Sequence, residues 1–147
     1  MAATQLPARD ATGRGVARSS RWPNCSYLTD WRTTDAQIRW DVEVIRPGRF
    51  QAELYYTCPE AEVGSRVELR LGDAAVSGRV TPAHDPPITS VAYNRYPAEE
   101  GPVKAFRPLD LGVFELPQGP GTLTLQAVEV AGTQVMDFRL LVLTRIE

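Results

Sequence analysis

AQIRWDVEVIRPGRFQAELYYTC, residues 36–58, is the stretch whose periodicity decides the fold. Ile38, Trp40, Val42 and Val44 alternate with Gln37, Arg39, Asp41 and Glu43. Beyond Pro47 and Gly48, Phe50, Ala52, Leu54, Tyr56 and Cys58 alternate with Gln51, Glu53, Tyr55 and Thr57. Successive strand residues point to opposite faces, so a period of two means one buried face and one wet face. The pattern predicts two antiparallel strands paired as a hairpin around the Pro-Gly break. An isolated hairpin is marginal in water, which places the pair at the centre of a larger sheet.

The same alternation recurs on both sides. Val67, Leu69 and Leu71 alternate with Arg66, Glu68 and Arg70, and Gly72-Asp73 turns the chain into residues 74–80 as a second hairpin. Residues 109–116 alternate with a slip at Gly112-Val113, the mark of a β-bulge. Leu123, Leu125 and Ala127 form another apolar series, and Met136, Phe138, Leu140 and Val142 are expected to complete the core. Short strands are expected at 4–6, 16–20 and 25–31, with 10–15 a turn-rich loop and 59–65 a loop with slight helical character. Eight to ten short strands with almost no helix read as an all-β fold, an antiparallel β-sandwich of jelly-roll type. Residues 81–108 break the pattern with six prolines, and so long a connection in a compact domain is usually functional or disordered.

The totals exclude several function classes. The 147 residues fit a single domain over 1–147, with 1–3 an added or disordered start. A net charge of -2 gives no pull toward nucleic acid or an anionic membrane, and no apolar run reaches membrane-spanning length. The polar, Arg-bearing first 21 residues are not a signal peptide. One histidine and two cysteines cannot supply an ordinary zinc site.

Seven pieces in order then resemble a known family: TQLPARD (4–10), PNCSYLTDW (23–31), IRWDVEV (38–44), GRFQAELYYTCP (48–59), AHDPP (83–87), PLDLGVFELPQGPGTLTL (108–125) and VMDFRLLVLT (135–144). They resemble the C-terminal accessory domain of bacterial sulfatases of the arylsulfatase or N-acetylgalactosamine-6-sulfatase type, itself similar to carbohydrate-binding modules of families 6 and 35. The sulfatase frame C/S-x-P-x-R is missing, since Cys58 is followed directly by Pro59 and Cys25 by Ser26-Tyr27. The resemblance therefore implies a non-catalytic domain. It would bind carbohydrate, possibly sulfated, or pack on a sulfatase catalytic domain. Its setting would be extracellular or periplasmic, within a longer parent protein.

Candidate residues follow from that expectation. Sugar sites stack rings on exposed aromatics and hydrogen-bond hydroxyls with flanking polar groups. Trp22, Tyr27, Trp31, Tyr93 and Tyr96 are candidate platforms, with Asn24, Asp30, Asn94, Arg95 and Lys104 as candidate polar partners. The alternative is that Trp31 and Tyr27 cap the edge of the core. His84 joins the ligand set, or else braces the Pro-rich turn; a triad with the adjacent Asp85 and Ser90 is disfavoured because neighbouring residues rarely orient one another as base and orienter. No cofactor is required. Gln5, Asp10 and Asp137 resemble the places where related modules hold a structural calcium, although calcium needs six to eight oxygens. Cys25 and Cys58 are expected as a disulfide, the alternative being two separate buried thiols.

Overall fold

A computed structural model of the chain describes residues 3–19, 27–86 and 105–146. Eleven strands are found among them: β1 (Ala3–Pro7), β2 (Thr12–Arg14), β3 (Ala17–Arg18), β4 (Leu28–Thr29), β5 (Gln37–Val44), β6 (Gly48–Thr57), β7 (Arg66–Leu71), β8 (Ala74–Arg79), β9 (Arg107–Leu116), β10 (Gly119–Glu129) and β11 (Asp137–Ile146). One sheet runs β3-β4-β11-β6-β9, with β1 also on β11; the other runs β2-β5-β10-β7-β8. Every pairing is antiparallel. The fold is the expected jelly-roll β-sandwich, and among the described residues 3-10 turns occur only at Ala8–Asp10 and Glu60–Glu62. No helix among the described residues is long and apolar enough to cross a membrane.

The central reading needs one correction. β5 and β6 alternate as expected, with Ile38, Trp40, Val44, Ala52, Leu54, Tyr56 and Cys58 buried, yet they do not pair. β5 lies between β2 and β10 in one sheet, and β6 lies between β11 and β9 in the other. The chain at 45–47 therefore arches across the sandwich instead of turning a hairpin. Both arrangements bury the same side chains, so alternation alone could not separate them. The β7–β8 hairpin is present as expected, its turn carried by Gly72 at φ 60. The stretch 10–15 is not wholly loop, since β2 pairs there with β5.

Bulges set the remaining registers. In β9, Leu111 is the extra residue opposite Ala52 and Glu53, one place before the expected slip, and Gly112 takes φ 109 beside it. In β11 a shift between Phe138 and Leu140 reverses the parity. Leu141 and Leu143 are thus the buried residues, while the expected Leu140 and Val142 are only half-buried on the other face. Trp40 and Phe138 meet edge to face across the sandwich at 5.8 Å, and the Trp40 indole N–H donates to the Pro7 carbonyl at 3.2 Å.

Candidate functional site

One end of the sandwich gathers the segment after β4, the end of β6, the chain after β8 and the approach to β11. Thr29, Asp30, Asp85, Gln134 and Asp137 line a polar recess there of about 140 Å3, with Cys58 at its base. Each side chain is positioned by backbone. Cys58 and His84 exchange N–H···O bonds of 2.7 and 2.9 Å, and Val135 N–H donates to the Trp31 carbonyl at 2.7 Å. Asp30 holds φ 59, a left-handed conformation that is uncommon outside glycine. Its carboxylate meets Arg32 at 3.3 Å, an exposed pair of small energetic weight. The Thr29 hydroxyl donates to Asp137 at 2.6 Å.

Glu62 binds two of these segments together. Its carboxylate accepts from Thr133 N–H at 2.5 Å, Thr133 hydroxyl at 2.8 Å and Gln134 N–H at 2.9 Å. Those bonds, the Thr133 hydroxyl foremost, hold its pKa below the ordinary 4.5. Elsewhere the Tyr27 and Phe106 rings lie 5.3 Å apart, and the Arg139 guanidinium sits 5.9 Å over Phe106. The arrangement presents carboxylate, hydroxyl and amide oxygens to solvent in one recess, suited to accepting hydrogen bonds from hydroxyl groups.

The expected site residues divide. Trp31 is 1% exposed and belongs to the core, so it offers no stacking face, and its indole N–H has no partner among the described residues. His84 donates through Nε2 to the Ala105 carbonyl at 3.1 Å, and with its bridge to Cys58 it ties Ala105 to the end of β6, the bracing role. Trp22, Asn24, Tyr93, Asn94, Arg95, Tyr96 and Lys104 lie outside the described residues. Two of the calcium candidates are placed by strand register. Asp137 lines the recess, but Gln5 faces Val142, five residues along β11, or about 17 Å away at strand rise. No cluster of three or more His, Cys, Asp or Glu suited to a metal occurs among the described residues. Thr29, Glu62 and Gln134 went unnoticed in the sequence, where nothing signals that these loops meet.

Cys58 is a buried thiol, free among the described residues, and Cys25, its expected disulfide partner, lies outside them. Burial, aided by the charges of Glu62, Asp137 and Asp85, pushes its pKa up to about 11. The thiolate is the reactive form, so alkylation of the native protein at pH 8 should be far slower at Cys58 than in urea. The folded pKa lies above the unfolded value of about 9, so this contribution to stability is full below pH 9 and lost as pH rises toward 11. Peptide mapping after timed labelling checks both points. Equal labelling rates with and without urea would show an open thiol, and no labelling in urea without reductant would restore the disulfide.

No protein-family model matches the chain, and no curated protein matches it. Solved structures do. A family 35 carbohydrate-binding module from Clostridium thermocellum superposes with a TM-score of 0.65 at 12% identity, covering 99% of this chain and 100% of that one. The module CBM6cm-2 of Cellvibrio mixtus lichenase 5A, solved with cellotriose, gives 0.62 at 8% identity, with 98% of each chain covered. The Podospora anserina GH26-CBM35 β-(1,4)-mannanase gives 0.66 at 15% identity over 99% of this chain, which spans only 28% of that enzyme. At such identities the likeness is one of fold: this chain has the jelly-roll architecture of carbohydrate-binding modules.

Proposed function

We propose that the chain is a non-catalytic carbohydrate-binding module that takes a glycan at the loop end, over the recess of Asp30, Asp85 and Asp137. The supporting observation is the convergence of carboxylate, hydroxyl and amide groups from four separate segments into one solvent-open recess, in a fold otherwise filled with apolar side chains. Sugar hydroxyls donate to such oxygens. His84 spends its imidazole on a carbonyl, which argues against its serving as a general base. The narrower expectation of a sulfatase parent, a sulfated ligand and an extracellular or periplasmic setting rests on the sequence resemblance.

Titration with cello-, manno- and galacto-oligosaccharides and with sulfated glycans, followed by amide chemical shifts, tests the proposal. A shallow site of this kind should bind with Kd of about 0.1–1 mM. Shifts should centre on Asp30, Asp85 and Gln134, and Asp30→Ala should weaken binding about tenfold, the weight of a charge-assisted hydrogen bond. Silence at these residues with every glycan at millimolar concentration overturns the proposal in favour of a domain that packs on a neighbour. A preference for sulfated ligands would support the sulfatase context.

A further inference from the structure

At the opposite end from the loop recess, the two sheets part around a cleft of about 480 Å3. Val42, Val44, Leu71 and Leu123 form one wall, Leu6 and Leu143 the other, and Phe50 lies at its edge. Gly119 and Gly121 occupy positions on β10 in the same alternating series as the buried Leu123 and Leu125, opposite Val44 and Val42. A Cβ at Gly119 would meet nothing within 4 Å, and one at Gly121 would only touch Leu71 at 3.5 Å. Glycine weakens a strand and commonly marks the close approach of a ligand or another backbone.

The mouth has a definite charge. Ile45, 76% exposed, and Arg46 stand at the arch between β5 and β6. Arg145 donates to the carbonyls of Pro47 at 3.1 Å and Arg46 at 2.5 Å, and stacks 4.7 Å over the Phe50 ring. Arg46 forms no ion pair among the described residues. Glu43 is the sole acid lining the cleft among the described residues, and it belongs to the outward-facing series of β5. An apolar slot with the Arg46 guanidinium at its rim fits a molecule with an aliphatic body and an anionic head. We propose that this cleft binds a linear aliphatic carboxylate or sulfate, its chain between Leu71, Leu123 and Leu143 and its head at Arg46. Decanoate, with about a dozen heavy atoms at roughly 30 Å3 each, the share of one water in the liquid, needs about 360 Å3 and can be held. The site is separate from the glycan recess, so the two proposals stand or fall independently.

Calorimetric titration of the whole chain with decanoate, and with decyltrimethylammonium as the head-reversed probe, tests it. Decanoate should bind saturably with Kd on the order of 0.1 mM. Gly121→Leu fills the slot at a position outside the left-handed region, and should weaken decanoate by at least about tenfold while the fold persists. Arg46→Glu should weaken it about three- to fivefold, the span of an exposed ion pair. Should Gly121→Leu not fold, methyl shifts of Leu71, Leu123 and Leu143 in the unaltered protein decide instead. Absence of saturable heat and methyl shifts, an unchanged Kd in folded Gly121→Leu, or equal affinity for the cationic probe overturns the proposal.

Discussion

Trp40→Ala should destabilise the domain by about 3–5 kcal/mol, the usual cost of deleting a buried large aromatic. Three losses combine. The side chain is 4% exposed at the middle of β5, so its removal leaves a cavity between the sheets. Its edge-to-face contact with Phe138 links the two sheets at a point where no backbone hydrogen bond does. Its indole N–H also satisfies the Pro7 carbonyl, which the substitution leaves to find water. A domain of this size typically has about 5–15 kcal/mol in total, so the variant would retain a fraction of that and melt some 10–20 °C lower. Urea unfolding of both proteins gives the difference directly. A midpoint within error of the parent would mean that the ring is not buried and that β5 is out of register.

Trp40 was legible in the sequence because alternation reports which face of a strand is buried, and burial is what the substitution removes. Neighbour relations were not legible. Residues 45–48 could close a hairpin or arch between sheets, since either geometry buries Trp40 and Leu54 alike. The run Leu140-Leu141-Val142-Leu143 is apolar at every place, so nothing in it reveals that a bulge reverses the buried set. Gln5 and Asp137 show the same limit: they belong to neighbouring strands but stand at different heights along β11, which alternation does not report. Trp31 illustrates the limit for sites, because a ring flanked by polar residues in sequence can still lie wholly inside. The recess itself depends on which loops meet, a property of topology that composition does not encode. Glu62 gave no signal at all, since its partners are some 70 positions away in the chain.

Gly132→Ala should show how far that loop end depends on the Glu62 clamp. A Cβ at Gly132 would lie 2.9 Å from the Glu62 Cα, closer than non-bonded carbons approach, with the Glu62 carboxylate also in its way. Because backbone is involved, a side-chain rotation cannot relieve the clash, and the two segments must separate. That separation stretches the bonds from Glu62 to Thr133 and Gln134, although Ser65 still holds Ala131 N–H at 2.9 Å. The expected cost is about 1–3 kcal/mol, the range of overpacking at a tight contact. The pH dependence gives an independent reading. Glu62 has a folded pKa below its unfolded value near 4.5, so its contribution is present above that pH and lost as the pH falls through the folded value. Parent and variant stabilities should therefore differ most near neutrality and converge in acid. Glycan affinity at Gln134 should fall with them, because that side chain reaches the recess from the displaced segment. A constant stability gap from pH 7 down to pH 3 would show that the clash acts without disturbing the clamp.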